Sequence, residues 1–142
     1  MNTPVAATGP GGPVARLGFL AGQVVQEFGY DDDVDHDLRD EVMDAVGSDL
    51  EYDDFTGVAD AVMLWWRDGD GDLTDALVDA LTNLADGAAI VLLTPKPGRP
   101  GEVDPAEIEE SALTSGLHAT GTISAAADWA ANRLVPPKSA RR

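Results

Sequence analysis

The 142-residue chain contains no cysteine, which excludes disulfides, thiol catalysis and cysteine-ligated zinc or iron–sulfur centres. Basic residues are also scarce: nine Lys and Arg stand against 26 Asp and Glu, a formal net charge of −17. Nonspecific binding to DNA, RNA or anionic lipid is excluded, because it rests on Lys and Arg neutralising phosphates. His36 and His118 are the only histidines and no G-x-S-x-G elbow occurs, so a hydrolytic triad has little to draw on. The longest apolar stretches, Ala61 to Trp66 and Ala88 to Leu93, fall far short of the roughly 20 residues that span a bilayer. The first 13 residues hold no Lys or Arg and no signal-like apolar run, so the sequence predicts a soluble, cytoplasmic protein.

Hydrophobic residues make up 44% of the chain, enough for one core, and the acidity therefore belongs to a folded surface. The length fits one α/β domain over 16–136, with a flexible Pro/Gly-rich tail over 1–15 and a basic C-terminal tail over 137–142. Gly22 to Gly29 carries a β-branched run between turn residues and predicts a strand. Val34, Leu38, Val42, Ala45 and Val46 form an apolar stripe at helical spacing, predicting a helix over 33–46 ended by Gly47. A short edge strand is expected around Leu50 and Tyr52, and a strand covered on both faces over 59–66. A capped helix is expected from Asp72 to Gly87, then a central strand over 88–93 that Pro95 ends. Asp104-Pro105 opens a further helix closing on Gly116, and 118–123 and 130–135 read as two more strands. Alternating strands and helices predict a three-layer sandwich with a mainly parallel sheet.

This order of elements resembles a reduced Rossmann-like methyltransferase. The resemblance rests on Gly22-Gln-Val-Val-Gln-Glu-Phe-Gly-Tyr30, similar to that family's first strand and its acidic end, and on the strand, helix and strand from Ala59 to Leu93. It implies a cofactor loop after the first strand, with Glu27 and Tyr30 near S-adenosylmethionine and Trp66, Arg67 and Lys96 near substrate. The chain departs from that family where small glycines would let backbone amides approach a cofactor: it has Tyr30-Asp31-Asp32-Asp33-Val34-Asp35 instead. Consecutive carboxylates there repel phosphates, which argues against NAD, FAD and nucleotides. The strings YDDDVDHDLRD and LTNLADGAAIVLLTPKPGRPGEVDPAEIEESAL are similar, within residues 16 to 138, to a small uncharacterised actinobacterial family of domains of unknown function (the DUF3052 type). That resemblance implies a bacterial cytoplasmic origin and brings no activity.

Two acidic strings could recruit a metal. Asp68-Gly-Asp-Gly-Asp72 has the opening carboxylates of a calcium loop, but Leu73 stands where the sharp turn needs glycine. Asp31 to Asp37 gathers five carboxylates and His36, and aspartates complementing a helix dipole account for it without a ligand. No metal, cofactor or catalytic residue is assigned. Tyr30, Trp66, Arg67, Lys96 and Arg99 are expected at the pocket mouth, outside the carboxyl ends of the parallel strands. Residues 30–60 hold 13 of the 26 acids and one basic residue, Arg39. The resulting expectation is a non-catalytic interaction or regulatory module, with Asp31, Asp32, Asp33, Asp35 and Asp37 meeting a protein partner with a basic surface. The alternative is a divergent small-molecule-binding enzyme, with S-adenosylmethionine as its candidate cofactor.

Overall fold

The computed structural model describes residues 13–137. A helical turn, α1 (Pro13–Arg16), precedes β1 (Val25–Phe28), α2 (His36–Val46), β2 (Ala61–Trp65), α3 (Leu73–Leu81), β3 (Ile90–Pro95), α4 (Pro105–Thr114), β4 (His118–Ser124) and β5 (Trp129–Val135). The expected tails fall on 1–12 and 138–142, outside the described residues, apart from 13–15 in α1 and Pro137 after β5. No described helix is long and apolar enough to cross a membrane.

The strands form one sheet in the order β1-β2-β3-β5-β4. β1, β2 and β3 are parallel neighbours, with Val25 opposite Ala61 and Val62 opposite Ile90. β5 runs antiparallel to both β3 and β4, so the expected parallel character holds for the first half of the sheet only. The reason is connection length: residues 125–128 alone join β4 to β5, and a parallel return needs about a dozen residues or more.

Side-chain alternation divides the core between the two faces of the sheet. Val25, Met63, Trp65, Val91, Leu93 and Ala131 pack on one face with Leu38, Val42 and Val46 of α2. Val62, Leu64, Trp66, Ile90, Leu92 and Leu134 pack on the other with α3 and α4. Every residue of β2 and β3 is buried, as strands covered on both sides require.

Helix boundaries follow their caps. Asp35 accepts a hydrogen bond from the Leu38 N–H at 2.8 Å and opens α2, so the helix expected from 33 begins at His36, and Gly47, at φ +86°, closes it. Asp72 caps α3 and Asp104 caps α4. Two expectations fail for tertiary reasons. Helix α3 stops at Leu81 and not at Gly87, because Asn83 is drawn to the neighbouring loop: its Nδ2 donates to Phe55 O, and its own carbonyl accepts from Ala59 N. The edge strand around Leu50 and Tyr52 shrinks to a single parallel bridge between Gln26 and Glu51, because Gln26 Nε2 donates to the carbonyls of Tyr52, Asp53 and Phe55 and curls the segment away from the sheet.

Candidate functional site

The carboxyl ends of β1 and β2 lie side by side, and two arginines dominate them. Glu27 on β1 is buried, with its neighbour in register being Met63 of β2. Arg39 of α2 reaches it through Nε (2.7 Å) and Nη2 (2.9 Å), a bidentate charge-assisted pair. Trp65 Nε1 donates to the same carboxylate at 2.8 Å. The bond to Glu27 outweighs burial and raises the Arg39 guanidinium above its ordinary value. That guanidinium also lies 4.8 Å above the centre of the Tyr30 ring.

Arg67, just beyond β2, bridges the two strand ends. Its Nη1 donates to the Gly29 carbonyl at 2.9 Å and to Asp70 at 3.3 Å. Its Nε and Nη2 donate to the two oxygens of Asp33, and its Cζ lies 5.3 Å from the centre of the Trp129 ring. The hydrogen bond from Arg67 holds the Asp33 carboxyl below the usual aspartate range. Burial works to lower the Arg67 pKa, and Asp33 and then Asp70 outweigh it and leave it raised. Trp129 Nε1 donates to the Asp33 carbonyl, which fixes the loop after β1 from the far side. Gly29 has φ +78°, and a Cβ there would sit 2.1 Å from the Trp65 carbonyl oxygen. The glycine therefore serves the close approach of the chain to itself.

Of the expected pocket-mouth residues, Tyr30, Trp66 and Arg67 line one open cleft of about 320 Å³ together with Asp31 and Asp70. Trp65 and Trp66 are both buried, in the cores on opposite faces. Lys96 and Arg99 do not line that cleft. The Lys96 N–H donates to the Asp128 carbonyl and Arg99 Nε to the Asp128 carboxylate, so the loop after β3 folds toward the β4–β5 turn. In the acidic string, Asp31, Asp32 and Asp37 are exposed, Asp33 is held by Arg67, and Asp35 is the half-buried cap of α2. Among the described residues, no three or more His, Asp or Glu side chains converge as a metal site would need.

Sequence reasoning passed over Thr94 and Asn132. Both are buried, and both line a cavity of about 510 Å³ between α4 and the β3–β5–β4 half of the sheet. An isolated Thr and Asn carry no motif; only the strand register brings them together.

Comparison with known proteins extends to sequence and fold. A family model described as "Protein of unknown function (DUF3052)" matches residues 14–138. Uncharacterised proteins of Mycobacterium tuberculosis (strain ATCC 25618 / H37Rv) and Mycobacterium bovis are each 46% identical over 138 residues, which is 97% of this chain and 87% of theirs. Among solved structures, a methyltransferase from Pyrococcus furiosus superposes with a TM-score of 0.53 at 12% identity, covering 86% of this chain and 78% of that one. Magnesium protoporphyrin IX methyltransferase from Synechocystis PCC 6803, solved with bound SAM, gives a TM-score of 0.50 at 18% identity, covering 87% of this chain and 76% of that one. At these identities the likeness shows the fold, which is that of the Rossmann-like methyltransferases.

Proposed function

Because the chain belongs to the DUF3052 family of proteins of unknown function and carries a methyltransferase fold, we propose that it is a non-catalytic interaction module that meets a basic protein partner through the acidic face around the start of α2. One observation carries this reading: both arginines near that face are turned inward. Arg39, the one basic residue of 30–60, is bound to Glu27, and Arg67 is bound to Asp33 and the Gly29 carbonyl. The first commitment leaves exposed Asp31, Asp32 and Asp37 without a neutralising cation on their own segment. The second occupies the mouth where the fold would present a ligand. A surface of one sign steers an oppositely charged partner and loses strength as salt rises.

The likeness to a methyltransferase solved with bound SAM favours a second reading, a divergent S-adenosylmethionine enzyme with Glu27 and Tyr30 beside the cofactor. The residues present do not fit that cofactor. Glu27 is already spent on Arg39 and Trp65, Gly29 is pressed against the Trp65 carbonyl, and its own carbonyl is taken by Arg67.

The test is affinity capture from an extract of the source cells with the immobilised chain at low salt and at 0.5 M NaCl. A triple variant Asp31→Lys, Asp32→Lys, Asp37→Lys runs alongside, leaving the structural Asp33 and Asp35 intact. The expected result is a basic protein retained by the unaltered chain at low salt and lost in both other conditions. Retention unchanged by salt and by the variant sinks the reading. Saturable binding of S-adenosylmethionine in calorimetry would install the second one.

A further inference from the structure

The cavity beneath α4 shares no lining residue with the Arg67 cleft, so what it does is independent of the function proposed above. Its floor is set by register. Thr94 of β3 stands opposite Ala130 of β5, and Asn132, two residues on, stands opposite Thr122 of β4. Alternation puts Thr94, Ala130 and Asn132 on the same face as Leu92 and Leu134, which belong to the apolar core under α3 and α4. The core thus gives way, along the same strands, to small and polar side chains. Val103 and Ile108 supply an apolar wall, and Ala119 and Gly121 leave the outer end of the floor low. The β4 ladder is irregular between Ala119 and Thr122, an interruption of the kind that re-aims side chains beside sites.

Two donors of this floor are unspent. Thr122 Oγ1 donates to Asn132 Oδ1 at 2.8 Å, which fixes the amide's orientation and turns its Nδ2 away from Thr122. Among the described residues neither Asn132 Nδ2 nor Thr94 Oγ1 has a protein partner, although the two residues are only 6% and 4% exposed. Neither atom is sealed off: the fully enclosed unpartnered side-chain atoms are Gln26 Oε1 and Ser115 Oγ. The residual access of Thr94 and Asn132 is therefore into the cavity they line. A donor that opens onto such a cavity is free to meet an acceptor that enters it, in place of water. Two carboxylates, Glu102 and Glu109, stand among the lining residues and no cation does, which disfavours an anionic occupant. A volume of about 510 Å³ with mostly apolar walls and a few convergent polar groups is the form of a small-molecule site.

We propose that this cavity binds a small uncharged organic molecule, whose amide or ketone carbonyl accepts from Asn132 Nδ2 and Thr94 Oγ1 while its apolar body lies against Val103, Ile108 and Ala130. The probes are phenylacetamide and phenylacetate, nearly matched in size and differing in charge. Each is titrated into the ¹⁵N-labelled full chain, and amide shifts are followed, including the Asn132 side chain. Phenylacetamide should produce saturable shifts at Thr94, Ala119 and Asn132 and bind at least about tenfold more tightly than phenylacetate. Asn132→Leu and Thr94→Val should each weaken it by about three- to tenfold, the worth of one hydrogen bond. Ala130→Leu, which fills the floor, should abolish binding, with the thermal transition of each variant recorded to show that it folds. No saturable shift with phenylacetamide, equal affinity for the two probes, or undiminished affinity in a folded Ala130→Leu each overturns the proposal.

Discussion

At the scale of single residues, the decisive side chain is Arg67. A strand-end arginine beside two tryptophans reads in sequence as a group facing a ligand. In the fold it faces its own chain, bound to Asp33, Asp70 and the Gly29 carbonyl. The pairing with Asp33 has a pH signature. Asp33 has its folded-state pKa depressed below the ordinary 3.8, so its contribution is fully present above that value and is lost as pH falls through the lower, folded one. Urea unfolding between pH 5 and pH 3 should show the parent losing more stability than Arg67→Met, whose Asp33 titrates near its unfolded value. Equal pH slopes would refute the assignment. At pH 7 the variant should be less stable by about 1–3 kcal/mol, because polar groups around a mostly buried guanidinium lose their partner. Nothing within the sequence could pick Asp33 as that partner, since five aspartates stand between 31 and 37. Trp65 and Trp66 were easier to place: successive strand residues face opposite sides, and each enters a different core.

At the scale of elements, capping chemistry was legible and competition between segments was not. Asp72 and Asp104 cap their helices as the sequence predicts, whereas Asp35 caps a helix that begins at His36 and not at the expected 33. Asp72→Ala should lower stability by about 1 kcal/mol through loss of the bond to Asp75 N. Chemical denaturation followed by circular dichroism checks this, and no change beyond about 0.3 kcal/mol would mean another group takes over the cap. The far end of α3 could not be read in the same way. Leucines continue the stripe as far as Leu84, yet the helix ends at Leu81 because Asn83 is recruited by Phe55 and Ala59, segments more than twenty residues away. The segment around Leu50 has strand-like composition and keeps one bridge, since Gln26 takes three carbonyls from the residues that follow.

At the scale of the whole molecule, a net charge of −17 sets the solution behaviour. Self-repulsion among surface carboxylates destabilises the compact state, and salt screens it. The melting temperature should therefore rise between 20 mM and 300 mM NaCl; a fall would show that the arginine pairs, and not the repulsion, dominate the response. Fold class, absence of thiol chemistry, surface acidity, helix caps and the division of strand residues between two cores were determined by the sequence itself, because each depends on composition or on residues a few positions apart. The antiparallel half of the sheet, the early end of α3, the inward pairing of Arg67 and the cavity floored by Thr94 and Asn132 were decided by tertiary structure alone. Their groups come from remote segments, Arg67 with Asp33 at a separation of 34 residues and Trp129 with Asp33 at 96. Which of many similar aspartates and polar strand residues meet is set by register and packing, and those exist only once the chain has folded.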